Sequence, residues 1–197
     1  MDQELVFICL HGCNQTADAF RSYMKNLERI LKPLKAKFVY HEAVYDHPLG
    51  GKTWYETPLN VADIGHIQYS PELVGNTLTE LQAVVKQYEN ARICLLGFSQ
   101  GGNVVDTYLQ HEYNRHYPEL GPVKLAVIIS GYSLLSDPLP KVRVPLINVT
   151  GAADIVVPPH LAPKNYESYR LLPHPDGHII PKSETSRALL KSITETL

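Results

Sequence analysis

Residues 92–96, Arg-Ile-Cys-Leu-Leu, form an apolar run of strand length that passes without a break into Gly97-Phe98-Ser99-Gln100-Gly101-Gly102. Beyond it Val104, Val105, Tyr108 and Leu109 recur at helical spacing. A run apolar at consecutive positions cannot belong to a sheet with one wet face, so the strand is buried on both sides. The glycines then let the chain reverse within a few residues, and the helix that follows must lie back on the sheet. Strand, tight turn and covering helix together require layered α/β architecture with a mostly parallel sheet.

The rest of the chain repeats this grammar. Leu5 to Leu10 is a second continuous apolar run, ending at His11-Gly12. Phe20, Tyr23, Met24, Leu27, Ile30 and Leu31 recur at helical spacing and mark an amphipathic helix over about Thr16 to Lys32, stopped by Pro33. Lys37 to Tyr40, Leu125 to Ser130, Pro145 to Thr150 and Tyr169 to Leu172 read as further strands. Ser70-Pro71-Glu72 opens a helix with a buried stripe of Val74, Leu78, Leu81, Val85 and Tyr88, and a last helix opens near Ser183. Residues 41–69 carry Pro48, Gly50, Gly51, Pro58 and Gly65 with no sustained period, which predicts a site-lining loop. The 197 residues suit one domain, 1–197, with helices on both sheet faces and no room for an inserted cap.

Composition narrows the function classes. Eighteen Lys+Arg against twenty Asp+Glu give a formal charge of -2, which disfavours a nucleic-acid partner or an anionic bilayer. The apolar runs are too short for a membrane span, and Met1-Asp2-Gln3-Glu4 does not begin a signal peptide, so a cytoplasmic protein is expected. Three cysteines, two of them inside apolar runs (Cys9 and Cys94), predict buried thiols and no disulfide framework. The nine histidines are scattered. The one pair with ligand-like spacing, His174 and His178, has Pro175 and Gly177 between them, so no metal site is expected.

The turn after the strand at 92–96 is a G-x-S-x-G pentapeptide in the strand-turn-helix context that a nucleophile elbow requires. A serine hydroxyl is a poor nucleophile at neutral pH, so this reading demands a carboxylate and a histidine to activate it. Asp154 follows the strand candidate Pro145 to Thr150 and is the expected acid, with Asp137 as the alternative; Asp176 sits too near His178 in the chain. His178 follows a strand and a turn-permitting Gly177 and is the expected base, while His160 and His174 are read as surface histidines. Two backbone N–H groups should receive a developing oxyanion: that of Gln100, after the serine, and that of Cys13, in the loop after the first strand.

These residues bear a resemblance. "CLHGCNQTADAFR" at 9–21, "GFSQGG" at 97–102, "GAADIVVP" at 151–158 and "HPDGHIIP" at 174–181, with "TWYE" at 53–56, resemble the FSH family of serine hydrolases in the α/β-hydrolase superfamily. They are less closely similar to the acyl-protein thioesterase and carboxylesterase group. Asp176 stands where FSH members often carry a second Gly, and Gly102 is nearer the thioesterase pattern. The resemblance places nucleophile, acid and base on Ser99, Asp154 and His178. It implies an α/β-hydrolase fold and hydrolysis of a small-molecule acyl ester without a cofactor, an acyl-thioesterase or a catalytically dead binding module being the alternatives. Trp54, Tyr55, Tyr132, Leu134, Leu135, Ile155 and Ile179 fall in loops expected near the site, some of them lining an apolar acyl pocket.

Overall fold

The computed structural model describes residues 3–56, 70–117, 121–134 and 140–197. Strand β1 (Leu5–Leu10) leads through helix α1 (Ala17–Leu31) to β2 (Lys37–His41). A short antiparallel hairpin of β3 (Tyr45–Asp46) and β4 (Lys52–Thr53) follows. Helix α2 (Pro71–Gln87), β5 (Arg92–Phe98) and α3 (Gln100–Tyr108) come next; α3 runs on through a π turn at Leu109–Tyr113 into the single turn α4 (Asn114–His116). Strands β6 (Val123–Ile129), β7 (Leu146–Gly151) and β8 (Tyr169–His174) and helix α5 (Ser183–Thr196) complete the chain.

Six strands form one sheet in the order β2-β1-β5-β6-β7-β8, every neighbouring pair parallel. Side chains alternate across it. Phe7, Cys9, Cys94, Leu96, Leu125 and Val127 face a core closed by Phe20, Met24 and Leu27 of α1 and Leu189 and Ile193 of α5. Val6, Ile8, Ile93, Leu95, Ala126 and Ile128 face the opposite core, closed by Val74, Leu78 and Leu81 of α2 and Val104, Val105 and Tyr108 of α3. This is why the strands read as unbroken apolar runs: both sides of each are buried. Cys9 and Cys94 are buried free thiols, pushed up from the ordinary thiol range by burial.

Helix boundaries follow the local signals. Thr16 caps α1 by accepting the Ala19 N–H at 3.1 Å, and Ser70 caps α2 by accepting that of Leu73 at 3.1 Å. Caps of this kind contribute about 1 kcal/mol each. No helix among the described residues is long and apolar enough to cross a membrane, and no cap domain is inserted among them. The 41–69 segment is only partly a loop: its first half is the β3–β4 hairpin, and residues 57–69 lie outside the described residues.

The chain leaves β1 toward β2, then returns to the other side of β1 for β5 and continues outward. Strand order therefore reverses between β1 and β5. In open α/β sheets the carboxyl ends of the strands at such a reversal are where functional groups are presented.

Candidate active site

Ser99 lies directly past the end of β5 with φ 55° and ψ -120°, a strained backbone conformation that costs on the order of 1–3 kcal/mol. Neighbouring contacts hold it there. A Cβ on Gly97 would meet the Gly101 carbonyl oxygen at 2.4 Å, and one on Gly101 would meet the carbonyl oxygens of Leu10 and His11 at 2.4 and 2.5 Å. Neither position admits a side chain. The close approach seats the first turn of α3 against the end of β1, and the Ser99 N–H donates to Ile129 O at 2.9 Å, tying the turn to β6 as well.

Asp154 and His178 reach the same edge from β7 and β8. The Ser99 hydroxyl lies 2.8 Å from His178 Nε2, and His178 Nδ1 lies 2.8 Å from Asp154 Oδ2. A carboxylate only accepts, so Nδ1 carries the imidazole proton and Nε2 is left to accept from the serine. The Asp154 side chain is fully buried; its Oδ1 accepts the N–H groups of Val156 and Val157 at 2.9 and 2.8 Å. His178 packs on the Phe98 ring, 5.0 Å between centroids, and the Ile180 N–H two residues on donates to the Tyr23 hydroxyl at 3.1 Å. Three side chains spread over 79 residues of sequence thus form one hydrogen-bonded chain.

The loop after β1 lies beside Ser99: a Cβ on Gly12 would meet Ser99 Cβ at 3.3 Å. His11 is fully buried. Its Nδ1 donates to Gly12 O at 2.7 Å and its Nε2 accepts from the Ala43 N–H at 3.1 Å, which requires the neutral ring; desolvation by burial lowers its pKa accordingly. The Gly12–Cys13 peptide is trans, so fixing its C=O on His11 aims the Cys13 N–H the opposite way. The Gly12 N–H donates to Gln15 Oε1 at 2.8 Å. Gln100 supplies the first backbone N–H of α3, where helix geometry provides no acceptor.

The aromatic lining expected from sequence is placed differently. Trp54, Tyr55, Tyr132 and Leu134 are core residues, each no more than 2% exposed, and the three aromatic heads are satisfied inside the protein. The Trp54 indole donates to His11 O at 2.8 Å. Tyr55 donates to Asn103 Oδ1 and accepts from the Tyr132 hydroxyl at 2.8 Å. They support the site from behind, because their polar ends bond only to protein. Ile155, by contrast, is 86% exposed beside Asp154, and Ile179 is half-buried beside His178. Leu135 and the alternative acid Asp137 lie outside the described residues.

Two histidine readings separate. His160 sits on an exposed turn at Pro159–Leu161, but His174, expected on the surface, is buried at the end of β8. The reason is register: His174 pairs with Gly151, which places it under the loop that carries Asp154. Desolvation lowers its pKa. Asp176 stays off His178, its carboxylate lying 3.9 Å from His174 Nδ1 and 3.8 Å from Lys182 Nζ. No cluster of His, Cys, Asp or Glu among the described residues could hold a metal ion.

Sequence reasoning set Tyr23 and Ile30 on the apolar face of α1, but Tyr23 is 39% exposed and its hydroxyl holds the His178 loop to α1; Asp106, a buried carboxylate on α3, was missed altogether. Asp106 accepts from Ser133 Oγ at 2.8 Å, Tyr166 OH at 2.9 Å and Gln110 Nε2 at 2.8 Å. An Asp inside a helix with no charged neighbour in sequence gives no local sign of such partners.

An all-parallel sheet between helices, with its Gly-Phe-Ser-Gln-Gly turn at the switch point, defines an α/β hydrolase. The chain belongs to the serine hydrolase (FSH1) family, whose match covers residues 1–189, and it is therefore a hydrolase. No curated protein matches the sequence. Among solved structures it is similar to a carboxylesterase from Mesorhizobium loti at 18% identity and a TM-score of 0.73, over 98% of this chain and 90% of that one. A point variant of SOBER1 from Arabidopsis thaliana is similar at 16% identity and a TM-score of 0.71, over 97% and 99%. The Bacillus cereus carboxylesterase is similar at 15% identity and a TM-score of 0.69, over 100% and 92%. At these identities the likeness is one of fold.

Proposed function

We propose that the protein hydrolyses carboxylic esters of small acyl substrates through Ser99, His178 and Asp154, by way of an acyl-enzyme. The observation that carries the reading is His178, which bridges the serine hydroxyl and a buried carboxylate with both contacts at 2.8 Å. Membership of the serine hydrolase family and the fold shared with carboxylesterases support it further.

In the first half-reaction Ser99 Oγ bonds to the ester carbonyl carbon while its proton passes to His178 Nε2. Asp154 holds the ring in the tautomer that can accept that proton and offsets the imidazolium charge that results. The carbonyl oxygen, now negative, is received by the N–H groups of Cys13 and Gln100; one such donor contributes about 2.7–4 kcal/mol of transition-state stabilisation. The tetrahedral species collapses as the C–O bond to the alcohol breaks, and His178 returns its proton to the leaving oxygen. Water then repeats the sequence on the acyl-enzyme, with His178 as base, and releases the acid and free Ser99. No cofactor takes part.

A fluorophosphonate probe tests this directly. The folded wild type should be labelled at Ser99 and Ser99→Ala should not; a wild type that resists labelling would refute the reading and favour a binding module without hydrolytic activity. Turnover of oxygen esters and acyl-thioesters of graded chain length then separates an esterase from a thioesterase.

A further inference from the structure

Gln100 carries two separate sets of polar groups, and the reaction above uses only its backbone N–H. Its side chain is 1% exposed and is bonded on every side to one short segment. Oε1 accepts from the Trp54 N–H at 3.1 Å and Nε2 donates to Tyr55 O at 2.9 Å, while the Thr53 hydroxyl shares its one proton between Tyr55 O at 2.8 Å and Gln100 Oε1 at 3.0 Å. The amide orientation is unambiguous, because the Trp54 N–H can only donate and the Tyr55 carbonyl can only accept.

The same segment also grips the loop after β1. Lys52 O accepts the Asn14 N–H at 2.8 Å, the Lys52 N–H donates to Gln15 O at 2.8 Å, and the Trp54 indole bonds His11 O. Residues 52–55 are therefore fastened at one end to the loop that holds Cys13 and at the other to the first residue of α3. Those are the two places from which an oxyanion would be held. Donors of this kind act only when their separation is set in advance. The two loops also touch directly, Gly101 against His11 O and Gly12 beside Ser99, and residues 52–55 add a second tie that holds them in register.

We propose that the Gln100 side chain is a positioning group that, through residues 52–55, sets the separation of the Cys13 and Gln100 N–H groups. The proposal rests on the ester-hydrolase reading above. It assigns a role to the Thr-Trp-Tyr segment other than substrate contact: the buried aromatics form a strut behind the site.

The test is Gln100→Glu, measured as the ratio of its kcat to that of the wild type across pH with p-nitrophenyl butyrate. A glutamate keeps the acceptor for Thr53 and Trp54. When ionised it sets a negative oxygen against Tyr55 O; when protonated it can donate there as the amide does. The ratio should be lower by roughly ten- to a hundredfold on the alkaline side of the new carboxyl's titration and recover on the acid side, with KM within about twofold throughout. Taking the ratio removes the pH dependence that the two proteins have in common.

A second measurement uses the gentler Thr53→Val, alone and combined with Gln100→Met. If both act through one strut, the double variant should lose little more kcat than Gln100→Met alone. A kcat ratio that is flat with pH, a loss expressed in KM, or fully additive losses would overturn the proposal. If the wild type itself is not labelled at Ser99, the ester-hydrolase reading fails first; if it is labelled and turns over while the ratio stays flat, only the strut fails.

Discussion

Replacing Asp106 with Asn should make the protein more stable at pH 8. The carboxyl is fully buried on α3, seven residues past Ser99, and no cation pairs with it among its contacts. Desolvation pushes its pKa up from 3.8 to about 6, outweighing three hydrogen bonds that pull it down. Between those values the folded protein holds a proton that the unfolded chain has lost. This contribution to stability is complete below pH 3.8 and disappears as pH rises through 6. At pH 8 the rise from 3.8 to about 6 corresponds to about 3 kcal/mol against folding.

Asparagine carries no charge and can satisfy the same three partners. Its oxygen accepts from Tyr166 and Gln110, and its amide donates to Ser133 Oγ. Asp106→Asn should therefore gain about 1–3 kcal/mol at pH 8 and lose most of that advantage at pH 4.5. Urea unfolding followed by Trp54 fluorescence is a suitable assay, since that residue is the only tryptophan and is fully buried. A variant less stable than wild type at pH 8, or an advantage equal at both pH values, would refute the electrostatic argument. Asp106→Ala, which leaves the Tyr166 and Ser133 hydroxyls without their carboxylate acceptor, should be destabilised at either pH.

Further outcomes follow from the site. Asp154→Asn should keep the fold but lower kcat about ten-thousandfold, because the amide favours the wrong imidazole tautomer; unchanged turnover would move the acid role to another residue. His11 is neutral in the fold and its pKa is lowered from 6.5, so the stability it confers is present above 6.5 and is lost as pH falls through the folded value. Nitrogen NMR should find its proton on Nδ1 and its titration below 6.5, and a midpoint at or above 6.5 would contradict the Ala43 contact. Gly101→Ala places a Cβ 2.4 Å from Leu10 O, so the variant should unfold or lose fluorophosphonate labelling; wild-type labelling and melting temperature would show that the elbow is looser than described.

Much of the scaffold is local chemistry and was legible as such. The apolar runs at Leu5–Leu10 and Arg92–Leu96, the cap at Ser70, and the glycines at 97 and 101 state their structure within a few residues of themselves. A strand buried on both faces has to be apolar at every position, and a turn that touches neighbouring backbone has to be glycine. The order of Ser99, Asp154 and His178 along the chain was equally readable, because each follows a strand and parallel strands end on one edge.

Tertiary structure alone decided what meets across that edge. Contacts between residues 79 positions apart depend on sheet order and strand register, and neither leaves a periodic trace in sequence. The β3–β4 hairpin has only two residues per strand, too few for alternation to show, so the segment read as loop and its aromatics as pocket lining. In the fold those aromatics are buried by α2 and α3 from elsewhere in the chain. His174 and Asp106 were misread or missed for the same reason. The burial of a polar side chain is settled by distant partners that supply its hydrogen bonds, whereas an apolar run announces its burial by composition alone.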